Sequence, residues 1–172
     1  MKKIILLGYM GSGKSTIAKS LSENTQIPLF DLDELIEKKA GISVKDIFEQ
    51  KGEIFFRKLE HQILKELVMS PEQMIISLGG GTPCYAGNHE MLHGENIISI
   101  YLKASIDTLF ERLHVNKQER PLIADKTDDE MREFIAIHLF ERSYFYQKAT
   151  HSVAVDGKSM AEIVATIEKL LA

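Results

Sequence analysis

Short runs of consecutive apolar residues alternate along the chain with longer stretches in which apolar residues recur every three or four positions. An unbroken apolar run of four to eight residues is typical of a strand buried on both faces, whereas the longer spacing is typical of a helix with one buried face. The pattern predicts five strands, at 4–7, 27–32, 74–78, 97–102 and 152–155. It predicts helices at 14–24, 34–40, 43–48, 53–69, 88–92, 106–113, 128–149 and 160–171.

Strands and helices alternate throughout this predicted order, which favours an α/β domain with a mainly parallel sheet. With 172 residues the chain has the size of one domain, so we assign residues 1–172 to a single unit. Residues 115–126 (VNKQERPLIADK) interrupt the pattern, because they are polar, charged and broken by Pro121. We predict that this segment is a mobile loop.

The overall composition narrows the classes of function. A net charge of -4 disfavours the binding of nucleic acid over a broad surface. No apolar run approaches the roughly 18 residues of a membrane span, and the apolar start of the chain ends at Gly8, too early for a signal peptide. Cys84 is the only cysteine, which excludes an internal disulfide and favours a reducing compartment. We therefore expect a cytoplasmic protein whose partners are small molecules.

The segment GYMGSGKS at 8–15 fits G-x-x-x-x-G-K-[ST], the pattern of a phosphate-binding loop. Its glycines let backbone N–H groups converge on phosphate oxygens, and the following helix adds the positive end of its dipole. Lys14 would contribute a point charge to the β- and γ-phosphates, and the Ser15 hydroxyl would bind Mg²⁺. We predict an ATP site on six consecutive residues: Gly11, Ser12, Gly13, Lys14, Ser15 and Thr16.

Two other segments match motifs of different chemistry, but more weakly. HEMLH at 89–93 matches the zinc-hydrolase pattern H-E-x-x-H, yet no third ligand follows before the next predicted strand. NKQE at 116–119 is the nearest segment to a guanine-binding N-K-x-D motif, with Glu in place of Asp and no strand before it. Zinc hydrolysis and GTP binding are therefore disfavoured relative to the use of ATP.

Asp31 and Asp33 lie at the predicted end of the second strand. Residues i and i+2 of an extended strand point to the same side, so we expect both carboxylates at the carboxyl edge of the sheet, where ligands of α/β proteins bind. One would hold Mg²⁺ through water, and the other would accept the proton of an attacking hydroxyl. The alternative is a helix N-cap followed by an acidic first turn.

Arg57 and Glu60 lie one turn apart on the predicted helix at 53–69. The arginine fork suits a planar carboxylate, although a surface ion pair is the alternative for these two residues. Three successive glycines, 79–81, follow the third predicted strand. Their backbone entropy cost indicates that another group approaches them closely, and a plain strand-ending turn is the alternative.

Taken together, the motifs resemble in order those of the shikimate kinases over residues 4 to about 155. The matching segments are GYMGSGKS at 8–15, FDLDELIE at 30–37, GEIFFRKLE at 52–60, SLGGGTP at 77–83, ERPL at 119–122 and ERSYFYQKA at 141–149. The resemblance implies a three-layer P-loop fold of the nucleoside monophosphate kinase type, with a five-stranded parallel sheet flanked by helices and a lid at about 115–126. It also implies a monomer that phosphorylates the 3-hydroxyl of shikimate with ATP and one Mg²⁺.

The resemblance further implies a role for individual residues. Three of them would be catalytic: Lys14, Asp33 and Arg120. The ATP site would be extended by Arg112 on the adenine and by Arg120 from the lid, while Ser15 and Asp31 would bind Mg²⁺. The shikimate site, centred on about 31–62, would comprise Asp33 as base, Arg57, Gly79, Gly80, Gly81 and Arg142, with Glu60 orienting Arg57.

The sequence departs from the family pattern at two places. Ser77, Pro83 and Cys84 carry no implied role, and the match to an adenine-binding loop at 155–158 is loose. A kinase for gluconate or a nucleoside monophosphate is one alternative, which Arg57 and the three glycines disfavour. A regulator that binds nucleotide without catalysis is another, and it would leave Asp33 without a purpose.

Overall fold

The computed structural model describes residues 1–172, which form five strands and seven α-helices. The strands are β1 (Lys3–Leu7), β2 (Leu29–Asp31), β3 (Met74–Ser77), β4 (Ile97–Lys103) and β5 (His151–Ala154). The helices are α1 (Lys14–Thr25), α2 (Leu32–Ala40), α3 (Val44–Gln50), α4 (Glu53–Met69), α5 (Ile106–Val115), α6 (Asp128–Tyr146) and α7 (Met160–Leu171). Short 3-10 helices lie at Thr82–Cys84, Asn88–Leu92 and Lys117–Glu119.

All strand pairs are parallel, in the order β2-β3-β1-β4-β5, and helices flank the sheet. The predicted α/β class and all five predicted strands are therefore confirmed. Every residue of β1 and β3 is buried, which explains why their sequences KIILL and MIIS are almost continuously apolar. Full burial of one such Ile or Leu side chain contributes about 1.5–3 kcal/mol, so the central strands anchor the sheet. None of the helices has the length and apolar character needed to cross a membrane.

The parallel register brings three strand ends together at one edge of the sheet. Asp31, the last residue of β2, is opposite Ser77 of β3, and Ser77 is opposite Leu6 of β1. The phosphate loop follows β1, Asp33 follows β2 after one residue, and the three glycines follow β3 after one residue. Elements far apart in sequence therefore meet at the carboxyl edge of the sheet, as expected for ligand sites of such folds.

The structure corrects the predicted course of the chain around Asp31. The second strand is shorter than predicted and ends at Asp31, whose Oδ1 accepts a hydrogen bond from the Glu34 backbone N–H at 3.1 Å and caps α2. Asp33 therefore lies in the first turn of a helix, and the prediction that both carboxylates project from one face of an extended strand is wrong. The N-cap alternative is the observed local structure, because a capping carboxylate satisfies a free helical N–H group.

Several other element boundaries differ from the predicted ones by one to three residues. Helix α6 ends at Tyr146, three residues before the predicted end at Ala149, and residues 88–92 form a 3-10 helix. The predicted loop at 115–126 begins at the last residue of α5, contains the short 3-10 helix Lys117–Glu119 and otherwise has no helix or strand. It leads into α6 through a capping box, in which Thr127 and Glu130 each accept a hydrogen bond from the other's backbone N–H.

Candidate active site

Residues 8–13 form the loop between β1 and α1. Gly11 and Gly13 have φ angles of 83° and 94°, a left-handed conformation that side chains with a Cβ rarely adopt. Helix α1 begins at Lys14 directly after Gly13, and no side chain caps its first N–H groups. These groups, with the positive end of the helix dipole, are therefore free to bind an anion. The local geometry is that of the phosphate-binding loop predicted from the sequence.

A cavity of about 680 Å³ opens beside this loop. It brings together most residues of the predicted ATP and Mg²⁺ sites with part of the predicted acceptor site. The predicted residues that line it are Gly11, Gly13, Lys14, Ser15, Thr16, Asp31, Asp33, Gly79, Gly80, Arg112 and Arg120. Ser12 belongs to the loop, but it is buried and does not line the cavity. Three residues of the predicted acceptor site lie next to the cavity rather than in its lining: Arg57, Gly81 and Arg142.

Lys14 and Asp33 face the same cavity, and their pKa values are shifted in opposite directions. Burial lowers the pKa of Lys14 to about 8, although the negative charges of Asp33 and Asp31 oppose this change. Burial, together with the charges of Asp31 and Glu60, raises the pKa of Asp33 to about 6. A carboxylate with a pKa near neutrality is suited to take a proton from a hydroxyl, because it is both ionised and basic at physiological pH.

The Lys14 ammonium group is held by the loop itself. Its Nζ donates hydrogen bonds to the carbonyl oxygens of Gly8, at 2.7 Å, and Tyr9, at 3.4 Å. The positive charge therefore lies at the mouth of the loop, where phosphate oxygens would replace the carbonyls as partners. Ser15 and Asp31 line the same cavity and offer a hydroxyl and a carboxylate oxygen. This donor set fits Mg²⁺, which binds oxygen ligands and usually keeps several waters and phosphate oxygens.

Arg57 and Glu60 form a buried ion pair on α4. Arg57 Nη1 lies 2.9 Å from Glu60 Oε1, and Glu60 Oε2 accepts a hydrogen bond from the Thr82 hydroxyl at 2.9 Å. The Glu60 side chain is only 1% exposed, so the surface ion pair considered as the alternative is not what forms. Both carboxylate oxygens of Glu60 thus accept a hydrogen bond. The bond from Arg57 restrains rotation of the guanidinium group within its own plane.

Each of the three successive glycines is approached by a polar side chain. A Cβ at Gly79 would lie 3.2 Å from Asp33 Oδ1, one at Gly80 would lie 3.2 Å from Arg142 Nη1, and one at Gly81 would lie 2.9 Å from Arg57 Nη2. The glycines therefore make room for the three side chains predicted to bind the acceptor. The close approach inferred from the sequence is observed, and the plain-turn alternative does not account for it.

Two tyrosines of the site were not predicted from the sequence. The Tyr146 hydroxyl donates to the carbonyl oxygen of Gly80 at 2.5 Å, at the glycine that Arg142 also approaches. Tyr9 is buried in the phosphate loop beneath Arg142, whose Cζ lies 5.6 Å from the ring centroid, and its hydroxyl is 2.8 Å from His138 Nδ1. Tyr146 lies one helical turn after Arg142, so the sequence predicts that these two side chains are neighbours. It does not predict the hydrogen bond between Tyr146 and Gly80.

The remaining arginines and the histidine motif have different surroundings. Arg112 Nη1 donates to the carbonyl oxygens of Gly11 and Ser12, at 3.2 and 3.1 Å, so Arg112 supports the phosphate loop, and its contact with adenine stays a prediction. Arg120 reaches the cavity from the segment after α5. Lys158, from the loosely matched loop at 155–158, also lines it, as does Met160, which the sequence did not indicate. His89 belongs to a 3-10 helix, where residues i and i+4 do not share a face, and its ring contacts Phe145.

Comparison with known proteins gives consistent results. Residues 10–172 match a family model described as shikimate kinase. Shikimate kinase of Flavobacterium johnsoniae is 60% identical over 172 residues, which is 100% of both chains. The crystal structure of shikimate kinase from Bacteroides thetaiotaomicron superimposes with a TM-score of 0.89 at 34% identity, covering 99% of this chain and 98% of the other. A shikimate kinase from Acinetobacter baumannii, in complex with shikimate, gives 0.85 at 27% identity, covering 99% and 93%.

Proposed function

This chain belongs to the shikimate kinase family, and we propose that its cavity transfers the γ-phosphoryl group of ATP to the 3-hydroxyl of shikimate, giving shikimate 3-phosphate and ADP. One observation supports the proposal above the others. A phosphate-binding loop and the carboxylate of Asp33 face the same cavity, and the arginines suited to the acceptor carboxylate adjoin it at Gly80 and Gly81. The donor and the acceptor would therefore meet between Lys14 and Asp33. The product belongs to the pathway that leads to the aromatic amino acids.

On the donor side, the uncapped N–H groups of α1 and the loop amides would bind the phosphates of ATP. Lys14 would stabilise the charge that develops on the transferred group, and Arg120 would reach the same oxygens from the segment at 115–126. Ser15 and Asp31 would hold Mg²⁺, which when bound neutralises charge on the β- and γ-phosphates. Arg112, which contacts the loop, lies where it would also border the adenine.

On the acceptor side, Arg57 and Arg142 would bind the carboxylate of shikimate while Asp33 takes the proton of its 3-hydroxyl. Arg57 Nη1 is already bonded to Glu60, whereas its buried Nε has no hydrogen-bond partner. Nη2 has no hydrogen-bond partner either and is not enclosed as Nε is, so this nitrogen would donate a charge-assisted hydrogen bond to the carboxylate. The backbone of Gly79 to Gly81 would complete the pocket, because no side chain there obstructs the approach of the ring.

The wider organisation follows from the same comparison. We propose that residues 1–172 form one catalytic domain, in which about 31–62 contributes most of the shikimate site and about 115–126 closes as a lid over ATP. Closure would exclude water from the γ-phosphate and limit hydrolysis. We further propose that the enzyme acts as a monomer in the cytoplasm on these two small molecules, independently of nucleic acid and membranes.

A coupled assay of ADP release tests the proposed acceptor. The purified protein is supplied with ATP and Mg²⁺, and then with shikimate, gluconate, AMP or no acceptor in parallel. ADP release that depends on shikimate is expected. If gluconate or AMP supports turnover and shikimate does not, the acceptor is misassigned, although the phosphate-loop assignment stands if ATP still binds. ATP binding without turnover on any acceptor would favour a regulator.

The first prediction concerns the dependence of activity on pH. We expect kcat/KM for shikimate to rise with pH through about 6, because the pKa of Asp33 is raised to about 6 and only the ionised carboxylate can accept the proton. The rise should be absent from the binding of ATP alone. Glu60→Gln removes one of the charges that raise this pKa, so the acidic limb of the profile should move to lower pH. An acidic limb that does not move in this variant would contradict the assignment to Asp33.

The second prediction concerns the acceptor carboxylate. Arg57→Lys should raise KM for shikimate by about tenfold or more, because an ammonium group cannot reproduce the planar arrangement of donors in the guanidinium group. KM for ATP should change less than twofold. Arg132→Lys is the matched control, since Arg132 pairs with Asp107 at 2.5 Å, outside the cavity. A shikimate KM that is unchanged in Arg57→Lys would remove Arg57 from the substrate site.

A further inference from the structure

The ring of Tyr85 lies against the guanidinium group of Arg57, with Arg57 Cζ only 3.8 Å from the ring centroid. Tyr85 follows Thr82, Pro83 and Cys84, a segment to which the family resemblance assigns no function. We propose that Tyr85 is a positioning residue, which holds the plane of the Arg57 guanidinium in the orientation that binds the acceptor carboxylate. The inference rests on the proposed role of Arg57 and extends it to the residue that orients this arginine.

The hydrogen bonds of Arg57 do not restrain the tilt of its guanidinium plane, whereas an aromatic ring against the face of the group does. The hydrogen bond to Glu60 Oε1 fixes Nη1 within the guanidinium plane, but it does not prevent the plane from tilting. Glu53 Oε1 is 3.7 Å from Nε, too far for a hydrogen bond, and the Phe56 ring is farther from Cζ than Tyr85, at 5.1 Å. Stacking on Tyr85 opposes the tilt directly, because the ring covers one face of the cation.

A second restraint acts on the same group from the backbone. A Cβ at Gly81 would lie 2.9 Å from Arg57 Nη2 and 3.4 Å from Tyr85 Cε2. Gly81 therefore admits both side chains at their observed positions, and its backbone bounds the end of Arg57 that Glu60 does not hold. Arg57 is therefore held by a carboxylate, a ring face and a backbone, and Nη2 keeps its hydrogen-bonding capacity.

The turn that carries Tyr85 is itself strained and anchored. Ala86 and Gly87 have φ angles of 52° and 69°, and the Asn88 N–H donates to the Tyr85 carbonyl oxygen at 2.9 Å. A left-handed conformation costs an alanine roughly 1–2 kcal/mol, so it persists only where the surroundings impose it. Asn88 imposes it here: this fully buried residue donates from Nδ2 to the Thr82 carbonyl oxygen at 2.9 Å, and its Oδ1 is 2.7 Å from His61 Nδ1.

These observations argue against an incidental surface contact. The Tyr85 ring is 38% exposed, and an exposed aromatic residue needs no special turn. Here a strained backbone, a buried anchor and a glycine all serve to keep one ring against one guanidinium. The same Thr82 that Asn88 holds also donates to Glu60, so the segment 82–88 supports Arg57 at two points.

Steady-state kinetics of Tyr85→Leu and Tyr85→Phe test the proposal. Tyr85→Leu should raise KM for shikimate by about three- to tenfold, the effect of losing a cation–π contact, with kcat and the KM for ATP within about twofold of the parent. Tyr85→Phe retains the ring face and should restore the shikimate KM to within about twofold. Phe140→Ala, which removes an aromatic side chain that is 87% exposed on α6, should change neither constant.

The arginine variant separates this inference from the assignment of Arg57. In the double variant Tyr85→Leu/Arg57→Lys, the loss should be smaller than the product of the two single losses, because both act on one contact. If Arg57→Lys raises the shikimate KM and Tyr85→Leu does not, the positioning role is wrong while the substrate site stands. If Arg57→Lys has no effect, the proposed function of Arg57 fails first. A Tyr85→Leu variant that weakens ATP and shikimate equally would show a structural role and overturn the inference.

Discussion

Replacement of Asp33 by Asn lowers kcat for shikimate phosphorylation by about 10²- to 10⁴-fold and at the same time makes the folded protein more stable. The kinetic loss is expected because a positioned general base contributes a factor of this size and an amide cannot accept the proton. The gain in stability is expected because the native site disfavours the charge of Asp33. Its pKa is raised to about 6 from an ordinary value of 3.8, mainly by burial and then by Asp31 and Glu60.

The sign of the stability effect depends on pH. A raised pKa means that the folded state binds the proton more tightly than the unfolded chain, so ionisation of Asp33 opposes folding. This cost is absent below about pH 4, grows as the pH rises and is complete above about pH 6. At about pH 7.5, Asn should therefore increase the free energy of unfolding by about 1–3 kcal/mol, and in acid the difference should vanish.

The chain offers a matched control for this variant. Asp129 is the second residue of α6, as Asp33 is the second residue of α2, but its side chain is exposed to solvent. Asp129→Asn loses the same favourable position near a helix N-terminus without relieving a buried charge. Thermal unfolding of both variants at two pH values, with coupled assays of turnover, distinguishes the effects. A Asp33→Asn protein that turns over normally, or that is no more stable than Asp129→Asn, would refute the role of Asp33.

Lys14→Met should lower kcat by at least about 10²- to 10³-fold, because the variant keeps the length of the side chain but lacks the charge that stabilises the transferring phosphoryl group. The hydrogen bonds from Nζ to Gly8 and Tyr9 are also lost, so part of any change in ATP affinity would come from the loop itself. Lys19→Met, at an exposed position of the same helix, controls for the removal of a positive charge. Near-normal turnover in Lys14→Met would remove Lys14 from the catalytic machinery.

The sequence predicts the parts of this molecule whose signals are local. Strand β1 and the phosphate loop form one continuous segment, in which the apolar run, the glycines and Lys14 fall at fixed spacings. Arg57 and Glu60 are likewise one turn apart on a helix with clear periodicity. The prediction that Asp33 continues the strand fails because two local signals compete over the same residues, and α2, capped by Asp31, begins at Leu32.

Contacts between distant segments carry no such signal. Tyr146 bonds to a carbonyl oxygen 66 residues earlier, and Thr82 bonds to Glu60 across 22 residues. The resemblance to a known family identifies Arg142 but does not indicate which groups hold it. Tyr85 is hidden for a further reason, since the turn beside it places an alanine where glycine would be expected. Only the folded chain shows which side chains these segments support.

The strand order also determines when the nucleotide site can form as the protein is synthesised. Strand β1 is translated first, yet it is hydrogen-bonded only to β3 and β4, with Lys3 opposite both Met74 and Ile97. A ribosome adds roughly 5–20 residues per second, so the first strand waits on the order of 5–20 s for both neighbours. Such long-range pairing also slows refolding of the full chain, towards the millisecond-to-second range. The phosphate loop therefore becomes able to bind ATP only after the chain has been synthesised through β4, which ends at Lys103.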